Sequence, residues 1–385
     1  MFMAKPVNLF RRRPALLLLW VSFCLLTGQT FPVTARASES RGIQFIGFSH
    51  FKQFTRSTGS NATIAVLTSP RITTRLAWNE LVVSWNAQAP EGTYLVVEAR
   101  GLRLGHPTKW YGMGLWSSDP TRYPRQSVLG QKDDRGKVDT DTLILHDKHD
   151  QVQVRLTLGG DFAQQPDLKF LGLCVGDSTA TFPALPPNRK AWGRSLRVPE
   201  LSQMAYENGG VICSPTALAM MLDYWSLRLD RPELSRPVPE IVAGVYDRNW
   251  QGTGNWVFNT AYAGSLDGIR AYVARMSDLS ELEDWIAAGQ PVALSLCYNK
   301  LRGRTGEPSG HLVVCVGFTE NGDVIINDPG TRRNVQKIFP RAQVAHAWAH
   351  SQNAAYVVYP ERMAPPRDRF GHWHSWSTNR NVRLN

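Results

Sequence analysis

The stretch Asn208-Gly209-Gly210-Val211-Ile212-Cys213-Ser214-Pro215-Thr216-Ala217-Leu218-Ala219-Met220-Met221-Leu222 reads as a flexible entry followed by an apolar helix. The glycine pair leads into Cys213, Ser214 is a capping residue type, and Pro215 suits a first helical turn. Cys213 is therefore expected at a helix N-terminus. There the backbone N–H groups without helical partners, and the positive end of the helix dipole, favour thiolate over thiol. Thiolate is the form a sulfur nucleophile requires. Taken alone, the segment fits a buried structural cysteine opening a core helix equally well.

A second stretch separates the two readings. Gly310-His311-Leu312-Val313-Val314-Cys315-Val316-Gly317-Phe318 and Asp323-Val324-Ile325-Ile326-Asn327-Asp328-Pro329 flank a turn at Thr319-Glu320-Asn321-Gly322. This is a hairpin with a histidine opening its first strand and an acid closing its second. A turn centred on Thr319-Glu320 sets His311 opposite Asp328. One centred on Asn321-Gly322 leaves them on one face but four residues apart, and then only a bulge lets Asp328 orient the imidazole. A polar pair at the ends of an otherwise apolar hairpin is costly unless it has a use. Gln203, ten residues before Cys213, offers a side-chain N–H that with the Cys213 backbone N–H would make a two-donor oxyanion pocket; alone it reads as a surface glutamine.

Gln203, the Cys213-Ser214-Pro215-Thr216 helix start, Gly310-His311 and Asn327-Asp328-Pro329 together resemble the C39-like branch (bacteriocin-processing, double-glycine type) of the papain-like cysteine peptidases. The resemblance spans about 196–360. It extends to Gly254-Asn255-Trp256, Phe258-Asn259-Thr260-Ala261-Tyr262-Ala263 and Ala288-Gly289-Gln290-Pro291-Val292, as in exported members. It implies Cys213 as nucleophile, His311 as general base, Asp328 as orienting acid and Gln203 as oxyanion donor. Ser214 stands where glycine is commoner. The transporter segments of leader-processing members are absent, so their substrate is not carried over.

Outward from this centre the chain divides. Residues 1–37 read as an export signal: Lys5 and Arg11 to Arg13 precede the apolar run Ala15 to Leu26, and Ala35-Arg36-Ala37 gives a small-x-small cleavage pattern. Residues 38–181 show short β-type runs such as Leu81 to Trp85, Tyr94 to Glu98, Thr142 to Leu145 and Val152 to Leu156, an all-β, sandwich-like domain. Residues 182–195, opening Phe182-Pro183-Ala184-Leu185-Pro186-Pro187, read as a stiff linker. Residues 196–361 mix helical and strand-like patterns, an α+β, papain-like domain, and 362–385 read as an irregular tail.

The charge of +11 is partly targeting, because residues 1–37 hold five basic residues and no acidic one, leaving +6 beyond them. The remainder lacks Lys/Arg blocks, which argues against nucleic acid as partner. No stretch after the signal is long and uncharged enough to span a bilayer. The expected location is secreted, periplasmic or otherwise extracytoplasmic. Cys174, Cys213, Cys297 and Cys315 lack zinc-site spacing, and disulfide pairing among Cys174, Cys297 and Cys315 is left open. Those three fall in apolar runs, where burial disfavours thiolate.

No cofactor or metal is expected. His346 and His350 lack a third ligand, and Asp133, Asp134, Asp139 and Asp141 do not fit a calcium-loop spacing. Trp110, Tyr111 and Trp116 read as core before sugar-stacking residues. The expected activity is cleavage of peptide amides in a peptide or protein substrate through a thioester acyl-enzyme. Rival readings are an amidase, a transglutaminase or a cell-wall peptide hydrolase on the same triad, and a non-catalytic secreted binding protein whose N-terminal domain docks to a polysaccharide or surface ligand.

Overall fold

The computed structural model describes residues 40–383, apart from 60–62, 162–163, 368, 370–371 and 379. The export-signal stretch, residues 1–37, lies outside the described residues. Ten strands occupy the expected all-β region: β1 Ile43–Phe48, β2 Thr55–Thr58, β3 Ala65–Thr68, β4 Ile72–Gln88, β5 Thr93–Arg103, β6 His106–Pro107, β7 Tyr111–Trp116, β8 Gly136–Asp139, β9 Thr142–Gly160 and β10 Asp167–Gly176. They form one branched, curled sheet. The runs Thr142 to Leu145 and Val152 to Leu156, which the sequence presents as separate, are parts of the single strand β9. Its first part pairs with β8 and with the second half of β4, its later part with β5 and β3. Register shifts opposite Thr73, Trp78 and Glu80 let the long strands bend without breaking.

Burial along β4 explains how the rest of the chain attaches. From Ile72 to Asn79 buried and more exposed residues alternate, as on a sheet with one wet face; from Glu80 to Ala87 every residue is buried. The second face of that half is covered by the later part of the chain. Its helices are α1 Cys213–Leu229, α2 Val238–Val245, α3 Trp256–Ser265, α4 Leu279–Ala287, α5 Tyr298–Leu301 and α6 Arg341–Trp348. Its strands are β11 Arg194–Ser195, β12 Ile269–Arg275, β13 Val292–Cys297, β14 Gly310–Phe318, β15 Val324–Asn327, β16 Gln336–Phe339 and β17 Ala354–Pro360. They make a second sheet of order β12-β17-β13-β14-β15-β16, with β11 beside β14 and every pair antiparallel.

Strand β12 lies at the edge of this sheet, and side chains of β4 satisfy its outer backbone groups. Asn86 accepts from Ala271 N–H at 3.1 Å and donates to Ala271 C=O at 2.6 Å, while Ser84 Oγ accepts from Val273 N–H at 2.9 Å. Two side chains thus imitate a neighbouring strand. Glycine is needed at 264, because a Cβ there would overlap the Asn86 amide. Around these bonds Phe45 meets Tyr272 with ring centroids 4.3 Å apart, and Phe258 of α3 packs on Trp85 and Trp116. The buried Arg275 pairs with Glu80. The described residues cluster as one compact unit.

Two further segments differ from expectation. The proline-rich stretch read as a linker is a strap over α4: Leu185 N–H donates to Asp278, and Asn188 and Trp192 Nε1 both donate to Glu283. The stretch read as an irregular tail carries β18 Trp373–Thr378 and β19 Arg380–Arg383, with β18 parallel to β1. The open edge of β1 had no sequence signature that could announce this partner. No helix among the described residues is long and apolar enough to cross a membrane.

Candidate active site

Helix α1 begins at Cys213 itself, with Ile212 in the cap position and no side-chain cap. Ser214 does not cap; its hydroxyl is hydrogen-bonded to Tyr356 OH at 2.8 Å, inside the core. With no cap side chain present, the sulfur takes part of that role: the Cys213 thiol receives the backbone N–H groups of Ser214 and Leu312, and it hydrogen-bonds with His311. Cys213 is half-buried and opens onto a cleft of about 920 Å³.

His311 comes from the start of β14. Its Nε2 lies 2.7 Å from Asp328 Oδ1, which leaves Nδ1 for the thiol. The hairpin turn runs from Thr319 to Asp323, and a bulge between Cys315 and Gly317 shifts the register so that Val314 faces Asn327. This is the bulged alternative among the sequence registers. Asp328, just past β15, is fully buried and held by the Gly330 N–H at 2.9 Å and the Tyr298 hydroxyl at 3.1 Å. Arg302 stands 3.6 Å away. The Tyr298 ring also covers His311, with centroids 4.0 Å apart. The sequence reading missed Tyr298 and Arg302; a tyrosine at the end of an apolar strand carries no signal of such a role.

Burial pushes the Cys213 thiol up, but the His311 hydrogen bond and charge and the two backbone donors outweigh it, and the net shift is downward. Burial pushes His311 down, and the bonds and charges of Asp328 and Cys213 reverse this and hold it up at about 9. Burial raises Asp328, which His311, Gly330 and Tyr298 more than offset. The favoured state of the group is therefore thiolate, imidazolium and carboxylate.

Gln203 is buried and lines the same cleft. Its Nε2 donates to Gly209 C=O, its Oε1 is buried without a partner, and its backbone N–H donates to Pro329 C=O at 3.0 Å. The second Nε2 proton is not used by that bond. All four residues singled out in the sequence thus line or adjoin one site.

The other cysteines differ. All four among the described residues are free. Burial drives Cys174 up to about 11 and Cys315 to about 12. Cys297 departs from expectation: burial raises it, but the N–H groups of Lys300, Ser309 and Asn299 and the Lys300 charge bring it below the ordinary thiol value. It closes β13 where a helical turn begins, so it meets N–H groups that an unbroken strand would not offer.

Of the remaining sequence candidates His350 lines the cleft, and those of the N-terminal sheet lie elsewhere. Asp133 is occupied by Tyr111 OH, Lys109 and the N–H groups of Arg135 and Gly136. Tyr111 and Trp116 are core, and Trp110 lies between the guanidinium groups of Arg100 and Arg155. Among the described residues no group of three or more His, Cys, Asp or Glu is placed to hold a metal ion.

Two family models match the chain. Residues 195–356 match the model of the Peptidase_C39 like family, and residues 28–175 match that of the Peptidase C39 N-terminal domain. No curated protein matches the chain significantly. A crystal structure of a Bacillus anthracis protein, itself assigned as a C39-like peptidase, is 19% identical; the match covers 43% of this chain and 98% of that one, with a TM-score of 0.32. The two family models between them span most of the chain, before and after the strap, and place it among the C39-like cysteine peptidases.

Proposed function

We propose that the chain is an exported cysteine hydrolase of papain-like arrangement that cleaves peptide amide bonds, with Cys213, His311 and Asp328 as its catalytic triad. In this reading the second domain, 196–361, carries the chemistry and residues 38–181 form a domain that completes the cleft. The observation that carries it is the half-buried Cys213 thiol in contact with a histidine whose other nitrogen lies 2.7 Å from a fully buried carboxylate.

Cys213 Sγ attacks the substrate carbonyl carbon, and the C=O bonding pair moves onto oxygen. Gln203 Nε2–H and the Cys213 N–H donate to that oxyanion. When it collapses the C–N bond breaks, His311 gives its proton to the departing amine, and a thioester remains. Water then attacks the thioester, losing a proton to His311. The S–C bond breaks, thiolate returns, and the acid product leaves. Asp328 holds the ring in the orientation both halves need and stabilises its charged form.

Cys213→Ala should abolish release of peptides from a fluorescent casein while the variant keeps the wild-type circular dichroism. Undiminished hydrolysis by that variant would end the proposal.

A further inference from the structure

We infer that loops of the N-terminal sheet hold one wall of the substrate cleft in place, with Asp141 as the residue that positions it, and that this wall receives an apolar side chain of the peptide substrate. The inference rests on the reading of the cleft beside Cys213 as the substrate site.

The wall is the segment from Asp247 to Trp256, of which Trp250 to Gly254 and Trp256 line the cleft. It belongs by sequence to the catalytic half, yet its outer side is fixed by residues in the loops between strands of the N-terminal sheet. Ser127 N–H donates to Asp247 Oδ1 at 3.0 Å, Arg248 N–H donates to Arg125 C=O at 3.0 Å, and Asn249 Nδ2 donates to Ser127 C=O at 2.7 Å. Fully buried, Asp247 also takes the N–H groups of Asn249 and Trp250 and the Asn255 amide. At the far end Asp141, 5% exposed in the turn just before β9, accepts the Trp256 N–H at 2.6 Å. That bond fixes the residue where the wall turns into α3, and a carboxylate suits a helix N-terminus. Without Asp141 the first N–H of α3 has no partner in a largely buried place, and Trp256 loses its tether.

What the wall presents is apolar. The Trp250 indole is 44% exposed and lies flat on the loop, since a Cβ at Gly252 or Gly254 would come within 2.6 or 2.8 Å of its ring carbons. Glycine at both positions is what lets the indole lie there. The exposed Val211 lines the cleft beside the wall, tied to it by Thr253 Oγ1 donating to Val211 C=O at 3.2 Å. Met204 and Leu296 lie within the cleft. An aromatic or branched apolar side chain on the second residue before the scissile bond would be removed from water between these surfaces.

Two peptide probes with the same reactive end test this: N-acetyl-Phe-Gly and N-acetyl-Gly-Gly chloromethyl ketone, each alkylating Cys213 by displacement of chloride. In the full chain the Phe probe should react faster. Asp141→Ala and Trp250→Ala should each lower the Phe-to-Gly rate ratio roughly ten- to hundredfold, the range of discrimination one apolar contact gives. Asp141→Asn, which keeps an acceptor oxygen for the Trp256 N–H, should hold the ratio within about threefold of wild type. Alkylation by chloroacetamide, too small to use the wall, should be unchanged in all three. If Asp141→Ala does not fold, Asp141→Glu, which displaces the carboxylate by one methylene, should lower the ratio. A ratio indifferent to Asp141, or no rescue by Asp141→Asn, overturns the inference. Chloroacetamide reacting with wild-type Cys213 only as an ordinary thiol would instead refute the nucleophile, and the ratio would still read the wall.

Discussion

The two sides of the cleft are built by different means. On one side Cys213 and His311 stand at the first residues of α1 and β14, and a single side chain, Asp328, completes the constellation. On the other, the Asp247 to Trp256 wall has no regular structure of its own before α3 and is held by the Ser127 backbone and the Asp141 carboxylate, more than a hundred positions earlier. Chemistry at the end of a regular element is announced by the residues that punctuate the element. A wall held by distant residues is announced by nothing local.

The largest test of this contrast is removal of residues 40–176. The Pro-rich strap suggests that the catalytic half could stand alone. In the structure, however, the deletion uncovers Phe258, Tyr272 and the outer edge of β12, all buried against β1 and β4. The truncated chain is expected to lose cooperative thermal unfolding and to aggregate. A monomeric, cooperatively folded and active fragment would show that the N-terminal sheet is dispensable and would break the comparison.

A smaller effect sharpens the catalytic side. Gln203→Ala should lower kcat on a peptide substrate by roughly 10²–10³ with little change in KM, the usual loss for one oxyanion donor. A change in KM alone would move Gln203 from transition-state contact to substrate contact.

The smallest concerns the junction. Asn86→Ala removes both partners of the Ala271 peptide and should cost about 1–3 kcal/mol for each buried group left unmade, read as a lower midpoint in urea at unchanged slope. Reactivity of Cys213 should not change. Equal loss of stability and thiol reactivity would mean that the two sides are not separable in energy.

How much of this was legible follows from the same contrast. The glycines before Cys213 and the proline after it mark the helix start, and the His311 to Asp328 hairpin is visible as apolar runs around a turn. The register stayed open because the bulge at Val316 has no residue signature; only the backbone shows it. Ser214 was misread as a cap, since the sequence cannot say that Tyr356, 142 positions later, competes for its hydroxyl. Strand β9 was divided because its middle, His146 to Asp150, is polar; within it only the buried His149 pairs with β4, at Trp78, and the register shifts there, so its other side chains face outward, where polarity costs a strand little. The Cys297 thiol was grouped with Cys174 and Cys315 because an apolar run conceals where a strand gives way to a helical turn.

The central claim, that Cys213 and His311 form a thiolate–imidazolium pair, is tested most directly by the rate of Cys213 alkylation with iodoacetamide across pH, mapped by mass spectrometry. The thiol is held below its ordinary value and the imidazole up at about 9, so the pair exists between those two limits. It is lost on the acid side as the thiolate gains a proton, and above about 9 as the ring loses one. Labelling of Cys213 should therefore stay fast in mildly acidic buffer, while buried Cys174 and Cys315 label slowly. His311→Ala should move the Cys213 profile to higher pH, and Asp328→Asn should move it less, because Asp328 acts through the ring. A profile that rises only near the reference cysteine pKa of about 8.5, and that His311→Ala leaves in place, would contradict the pair and with it the proposed chemistry.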